Sequence, residues 1–313
     1  MTAQDFVSYR DRLVGAVSQV IVGKEQEIER IAVCYLCGGH VLLEDVPGTG
    51  KTMLFRAFSK ACGGSFRRIQ FTPDVMPSDV TGINFYNMKT GEFEFRPGPV
   101  FADMVLADEI NRATPRTQSS LLEAMAEGQV SVDGVSRALS PVFMVAATQN
   151  PIESYGTFPL PEAQMDRFMM RLKLGYMSRG EETSVALRGD TADLIAALRP
   201  VVSAEETLSL RAKLDGIEIS EPVTNYVMDV IEKTRRDDRF TIGASPRGTI
   251  ALCRTARALA AFRGRAFVTP DDVKTLAPYV LAHRLYYRTA VGSEEAALLF
   301  REMLEEIPVP TEE

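Results

Sequence analysis

The sequence predicts an α/β domain built on a parallel sheet, followed by an all-helical domain. Three observations carry that expectation. Short apolar strands alternate with helical segments as far as about residue 177, the pattern of a parallel sheet flanked by helices. One of those strands, HVLLE (40–44), runs through a glycine-bearing loop into a helix. Beyond residue 177 the strand signals stop and capped helical segments take over.

The elements follow in order. Residues 25–37 have an amphipathic helical pattern that leads into HVLLE. The loop 45–51 comes next, then a helix over about 52–62, closed by Gly63-Gly64. RRIQF (67–71), MVLAD (104–108), PVFMVAAT (141–148) and FMMRLKL (168–174) are the other strands of a five-stranded sheet, and TPRTQSSLLEAMAEG (114–128) is helical. Two segments exceed a minimal βαβ plan. Residues 81–97 alternate aromatics at Phe85, Phe93 and Phe95 around a KTG turn. Residues 128–140 carry Asp133-Gly134, a strong hairpin turn pair. Both are expected to be hairpins. In the second domain SAEE (203–206) matches a capping box, and helices are expected at about 221–237, 246–262 and 270–286. Thr269-Pro270 opens the last of these. The domains are thus expected at 1–177 and 200–313, joined by a short connector, with the tail IPVPTEE frayed.

Composition narrows the function. The chain has 313 residues, 45% hydrophobic and 25% charged, which is ordinary globular composition. A net charge of −7, from 42 acids and 35 bases, does not favour nucleic acid, although a local basic patch stays compatible with it. Four cysteines are too few for a disulfide scaffold. Cys34 and Cys37 form a C-x-x-C inside the apolar run IAVCYLC, without a second pair or a nearby histidine, so they are expected to be buried helix thiols. The start, MTAQDFVSYRDR, is charged where a secretory signal needs an apolar core, and no apolar run approaches the roughly 20 residues of a spanning helix. A cytoplasmic protein with no membrane span is expected.

Residues 44–52, EDVPGTGKT, resemble the phosphate loop G-x-x-x-x-G-K-[ST], with Asp45 in place of the first glycine. Gly48 and Gly50 allow the backbone N–H groups to approach phosphates at the positive end of a helix. Lys51 reaches the β- and γ-phosphates and the Thr52 hydroxyl binds Mg²⁺. Pro47, Thr49 and Met53 complete the expected nucleotide contacts. Asp45 lies at the turn before those contacts, so Asp45→Gly is expected to leave ATP binding nearly intact. Asp108 and Glu109 end the strand MVLA at the carboxyl edge of the sheet, where ligands of open α/β folds bind. Asp108 is expected to hold the Mg²⁺ shell and Glu109 to polarise water. Strand 142–148 runs into Gln149-Asn150-Pro151, where the Asn150 amide either orients that water or belongs to an ordinary Asn-Pro turn. Arg247 sits in the first turn of a helix, where the dipole disfavours a cation, so it either points away or meets a γ-phosphate. Arg167, in PEAQMDRF, either pairs locally with Asp166 or Glu162 or serves a neighbouring subunit as an arginine finger, worth about 10³–10⁵ in rate.

Five blocks together, GGHVLLEDVPGTGKT, VLADEINRATPRTQSSLLEAMAEGQV, AATQNP, PLPEAQMDRF and GASPRG, resemble the MoxR family of AAA+ ATPases, over about residues 20–285. Aspartate at position 45 resembles the LLEDVPG form of that family. The resemblance implies a P-loop NTPase core with a five-stranded parallel sheet and a helical lid, with ATP between them. It implies that Asn150 is the first sensor, Arg247 the second, and Arg167 a finger acting in trans. Val22 and Gly23 would lie near the adenine. The two hairpins would be insertions facing a central pore or a substrate. Such proteins are hexameric, chaperone-like remodellers that act on partner proteins, often ones with a von Willebrand factor A domain.

The leading reading is therefore an ATP-driven protein remodeller. A nucleic-acid motor using the same engine is the second, allowed by Lys89, Arg96 and Arg137 near the hairpins. A small-molecule kinase or nucleotide-binding scaffold is the third, and the sequence carries no acceptor-pocket signature for it.

Overall fold

The computed structural model describes residues 3–45, 48–149, 156–188, 190–289 and 291–310. Two helices come first, α1 (Ala3–Ser18) and α2 (Glu25–Leu36). Glu25 and Glu27 lie in the first turn of α2, where the helix dipole favours negative charge. The core then runs β1 (Val41–Glu44), α3 (Lys51–Ala61), β2 (Phe66–Gln70), α4 (Pro77–Thr81), β3 (Gly82–Asn87), β4 (Glu92–Pro97), β5 (Met104–Asp108), α5 (Pro115–Glu127), β6 (Gln129–Val132), β7 (Val135–Ala138), β8 (Met144–Gln149), α6 (Glu162–Met165) and β9 (Met170–Leu172). The remainder comprises α7 (Arg179–Ala186), α8 (Thr191–Ala197), α9 (Ala204–Arg211), α10 (Glu221–Arg236), β10 (Phe240–Ile242), α11 (Pro246–Phe262), α12 (Pro270–Leu281), β11 (Tyr286–Tyr287) and α13 (Ser293–Glu305).

Five strands form one parallel sheet in the order β2-β5-β8-β1-β9. Successive side chains of a strand face opposite sides. Val41 and Leu43, Met104 and Leu106, and Met144 and Ala146 accordingly join the apolar cluster that contains α1, α2, α3 and the C-terminal helices. Leu42, Val105, Ala107, Val145 and Ala147 join a second cluster under α5. Both faces of the central strands are covered, as a parallel sheet requires. Phe55 and Phe58 of α3 are fully buried in the first cluster. Truncating either to alanine removes the transfer energy and leaves a cavity, at a cost of about 3–5 kcal/mol. The arrangement fixes α3 behind β1.

Both expected hairpins are present. Asp133 and Gly134 have φ of 50° and 79°, the left-handed pair that a tight two-residue hairpin turn needs. The hairpins also touch. Asn84 Nδ2 donates to Asp133 Oδ2 at 2.7 Å, and the Arg137 guanidinium lies 4.0 Å from the Phe95 ring centre. Tyr86, Met88 and Phe93 are exposed on the first hairpin, Met88 by 90%.

The structure departs from expectation in the C-terminal half. That part is not all helical, because β10 and β11 pair antiparallel and set Phe240 edge to face against Tyr287 with ring centres 5.2 Å apart. Strands of two or three residues are too short to leave a period in the sequence. The helix expected to reach 286 stops at Leu281, and a 3₁₀ turn, Ala282–Arg284, leads into β11. The expected connector holds α7 and α8. A complete capping box between Ser178 and Glu181 starts α7, and Asp190 caps α8. Ser203 caps α9 as expected, but the Glu206 side chain turns to Arg12 instead of back to the cap. Helices α1 and α13 lie outside the segments expected to be helical. The tail is anchored at Ile307, which is buried, while 311–313 fall outside the described residues. Among the described residues no helix is long and apolar enough to cross a membrane.

Candidate nucleotide site

The loop after β1 presents its backbone to open space. Gly48 and Gly50 both have φ of +84°, a conformation that L side chains rarely adopt. A Cβ built on either glycine would meet nothing within 4 Å, so there is room for a ligand against the bare backbone. Gly50 stands at the N-cap of α3 with no side chain capping it, which leaves the first-turn N–H groups directed at that space. Lys51 Nζ donates to the Asp45 carbonyl at 3.1 Å. Burial lowers the Lys51 ammonium below its ordinary value, against the attraction of Asp45, Asp108 and Glu109.

A cavity of about 380 Å³ opens at this point. Gly48, Thr49, Gly50, Lys51, Thr52 and Met53 line one wall, and Asp108 and Glu109 another. Asp45, Arg68, Gln70, Thr148 and Gln149 complete it. The strand registers explain the convergence. Gln70 pairs with Asp108 across β2–β5, and Glu44 pairs with Gln149 across β1–β8, so four strands end at one level. This is the carboxyl edge, where open parallel sheets bind ligands.

Each carboxylate is held by a different neighbour. The Thr148 hydroxyl donates to Asp108 Oδ1 at 2.7 Å, and Arg68 donates to Asp108 Oδ2 through Nη2 at 2.6 Å and Nε at 3.0 Å. Gln70 Nε2 donates to Glu109 Oε2 at 2.8 Å, and Arg112 Nε lies 3.2 Å from the same oxygen. Arg68 Nη2 also donates to Gln70 Oε1 at 2.6 Å, linking the two halves. The Glu109 N–H donates to the Thr148 hydroxyl at 2.8 Å. Glu109 has φ 57° and ψ 49°. That left-handed conformation costs a non-glycine residue about 1–3 kcal/mol and persists only where the surroundings enforce it. The fully buried Gln118 supplies the enforcement. Its Nε2 donates to the carbonyls of Ile110 at 3.2 Å, Ala113 at 3.1 Å and Phe158 at 2.8 Å, clamping the turn after Glu109.

Other expected site residues lie elsewhere. Arg167 Nη1 donates to the Leu122 carbonyl of α5 at 3.0 Å, outside the cavity. It does not take Asp166 as a partner. Asp166 instead accepts from Arg284 and from the Ser245 hydroxyl at 3.1 Å, and Arg247 Nη1 is 3.8 Å away. Arg247 is 58% exposed and does not line the cavity. Val22 and Gly23 lie in the turn between α1 and α2, also outside the cavity lining, and Glu181 of α7 fills the space beside Gly23. Pro47 and Asn150 lie outside the described residues.

Sequence reading missed Arg68, Gln70, Thr148 and Gln118. Arg68 and Gln70 did leave a signal, since polar residues two apart in RRIQF share one face of a strand. Sequence reading also gave Asp45 too little. Its side chain is 2% exposed, and Oδ2 accepts from the N–H groups of Leu174 and Gly175, each at 2.9 Å.

A phosphate loop on a parallel sheet, faced by a carboxylate pair, defines a nucleotide-hydrolysing class of protein. Residues 40–170 match the ATPase family associated with various cellular activities (AAA), and residues 232–302 match the AAA lid domain. The chain is an AAA-type ATPase and binds nucleotide. Chaperone MoxR1 of Mycobacterium tuberculosis is 38% identical over 311 residues, covering 96% of this chain and 82% of its own. Protein MoxR of Paracoccus denitrificans is 34% identical over 94% of both chains. YeaC, an uncharacterised protein of Bacillus subtilis, is 45% identical over 96% of this chain and 95% of its own. A crystal structure of a candidate ATPase from Cytophaga hutchinsonii is 35% identical, covers 98% of each chain and superposes with a TM-score of 0.89. The chain belongs to the MoxR family of AAA+ ATPases.

Proposed function

We propose that this ATPase works as a ring, hexameric in its family's manner, and uses ATP to remodel or mature partner proteins, among them proteins with a von Willebrand factor A domain. The single observation that carries the ring is the position of Arg167. Its guanidinium bonds its own α5 and does not line the cavity that Lys51 lines, which fits a group that serves a neighbour's nucleotide rather than its own. Protein clients are supported by the chaperone name of the Mycobacterium relative and by the exposed Tyr86, Met88 and Phe93 on the first hairpin. The acidic balance and those apolar side chains favour protein over nucleic acid.

Within each chain, residues 1–177 form the nucleotide-binding core and residues 200–313 the lid. Pro47 to Met53 contact the nucleotide, with Lys51 on the β- and γ-phosphates and Val22 and Gly23 beside the adenine. Thr52 and Asp108 would hold Mg²⁺, a cation that takes oxygen ligands, and the ion would neutralise developing phosphate charge. Glu109 accepts the proton of the attacking water, Asn150 orients that water, and Arg247 reports the γ-phosphate from the lid. The cytoplasm is the proposed compartment.

Mixing subunits tests the assembly. ATPase activity per chain should rise with protein concentration, and Arg167→Ala subunits should poison wild-type rings. Activity that is independent of both would refute the ring. Lys51→Ala should abolish the thermal shift with ATP, whereas Glu109→Gln should keep binding and lose hydrolysis by about 10² or more. Normal hydrolysis by Glu109→Gln would remove it as the base. Proteins retained by the Glu109→Gln variant with ATP would be the clients.

A further inference from the structure

We propose that Lys24 and Asp45 form a charged clasp on the connector between core and lid, and act as positioning residues that make the lid respond to the phosphate loop. The clasp sits where that connector leaves the core, on the segment 174–176 between β9 and α7. Asp45 Oδ2 takes the N–H groups of Leu174 and Gly175, both at 2.9 Å. Successive N–H groups on a turn make a concave seat for an anion, and here a carboxylate fills it. The turn depends on Gly175, whose φ is +65°. From the other side Lys24 Nζ donates to the Leu174 carbonyl at 2.6 Å and to the Tyr176 carbonyl at 3.1 Å. Donors and acceptors of the connector backbone are thus held by opposite charges from two separate parts of the core.

Asp45 also touches the nucleotide side, and Lys24 adjoins the turn proposed to lie beside the adenine. The Asp45 carbonyl accepts from Lys51 Nζ at 3.1 Å, so one residue meets the phosphate lysine with its backbone and the connector with its side chain. Lys24 follows directly on Val22 and Gly23, and Glu181 of α7 packs on Gly23. A shift of the phosphate loop on binding therefore displaces Asp45 and its hold on Leu174 and Gly175. Asp45 is 2% exposed, so its charge has no water to fall back on and follows its partners. The coupling half of this proposal rests on the nucleotide-site reading; the clasp itself does not.

Amide hydrogen exchange on the full chain, with ADP as the probe, tests it. In the wild type the Leu174 and Gly175 amides should be protected, and ADP should slow exchange in the first turn of α11. In Asp45→Ala the connector amides should exchange at least about tenfold faster without nucleotide, as expected when a buried hydrogen bond is lost. ADP should still bind, yet no longer slow α11. Asp45→Asn, which keeps an acceptor oxygen, should restore the protection and most of the ADP response, a rescue that loss of packing would not give. Lys24→Met should blunt the ADP response with the fold intact, and it decides the matter if Asp45→Ala fails to fold or to bind ADP. Wild-type exchange rates at Leu174 and Gly175 in Asp45→Ala would overturn the clasp. An ADP response of α11 that survives in both variants, or that is absent from ADP-bound wild type, would overturn the coupling. Failure of the wild type to bind ADP would instead overturn the nucleotide-site reading, leaving the connector amides to judge the clasp.

Discussion

The guanidinium of Arg68 closes on the carboxylate of Asp108 through hydrogen bonds of 2.6 and 3.0 Å. A cation of the chain thus sits on the residue proposed to hold Mg²⁺. The two charges compete for the same carboxylate, so the ion must displace Arg68 or share Asp108 with it. Arg68→Ala should therefore lower the Mg²⁺ concentration needed for half-maximal nucleotide binding several-fold, read by titrating Mg²⁺ against a fluorescent nucleotide. An unchanged or higher Mg²⁺ requirement would show that Arg68 does not compete.

Gln118 should act on turnover rather than on affinity. Its single amide group holds the carbonyls of Ile110, Ala113 and Phe158 and so enforces the strained turn after Glu109. In Gln118→Ala the turn can relax and Glu109 loses its aim. We expect kcat to fall about tenfold with little change in KM, the pattern of an interaction that matters only in the transition state. The Ile110 carbonyl keeps the Ala113 N–H, but the loss of the Gln118 donor at the Ala113 and Phe158 carbonyls should cost about 1–3 kcal/mol of stability in a urea titration. A raised KM with normal kcat would refute the positioning role.

The lid should detach energetically at Asp166. Arg284 is 2% exposed and bonds the Asp166 side chain, the Asp166 carbonyl at 2.9 Å and the Phe168 carbonyl at 2.7 Å. Removing one member of a buried pair strands the other charge, at a cost of about 3–5 kcal/mol. Asp166→Ala should approach the lower figure, because Arg284 keeps its carbonyl acceptors. In a double-mutant cycle with Arg284→Met, the two losses should fall short of additivity by at least about 1 kcal/mol. Strict additivity would mean that the contact carries no coupling.

Acid should weaken the fold before most carboxylates contribute. The chain has two histidines, and both are buried. Val145 N–H donates to His40 Nδ1 at 2.9 Å, and His40 Nε2 meets the Met125 carbonyl at 3.1 Å, which fits a neutral ring. Burial pushes His40 down to about 4 and His283 well below its ordinary value. Below pH about 6.5 the unfolded chain takes up protons that the folded chain refuses, so this stability is full above that pH and is lost as pH falls towards 4. His40 alone should remove about 3 kcal/mol across that window. Asp237, held down to about 2 by Arg239, should act only below pH about 4. Urea midpoints at pH 7.5 and 4.5 measure the loss, and His40→Gln should be less stable at pH 7.5 with a flatter profile. A pH-independent midpoint in the wild type would contradict the buried neutral rings.

How much the sequence revealed follows from how local each cause is. The five sheet strands, the two hairpins and α3 were legible because alternation, a turn pair such as Asp133-Gly134, and a strand–loop–helix unit are written within a few residues. The loop glycines, Lys51 and the Asp108-Glu109 pair were legible because phosphate chemistry asks for those residue types side by side. The strand pair β10–β11 was not, since its strands are shorter than the period that would announce them.

The sequence by itself determined the sheet strands, the two hairpins, the class of ligand and the family, because backbone geometry and ligand chemistry act over short stretches. Only the tertiary structure decided which charge neutralises which. Asp45 meets Leu174 across 129 residues, Arg284 meets Asp166 across 118, and Arg68 meets Asp108 across 40. Those meetings are set by strand register and by the packing of helices on a common core, so no local pattern encodes them. Asp45 is the plainest case. In the sequence it is a misfit in a glycine pattern, and in the fold it is a buried carboxylate holding the Leu174 and Gly175 backbone.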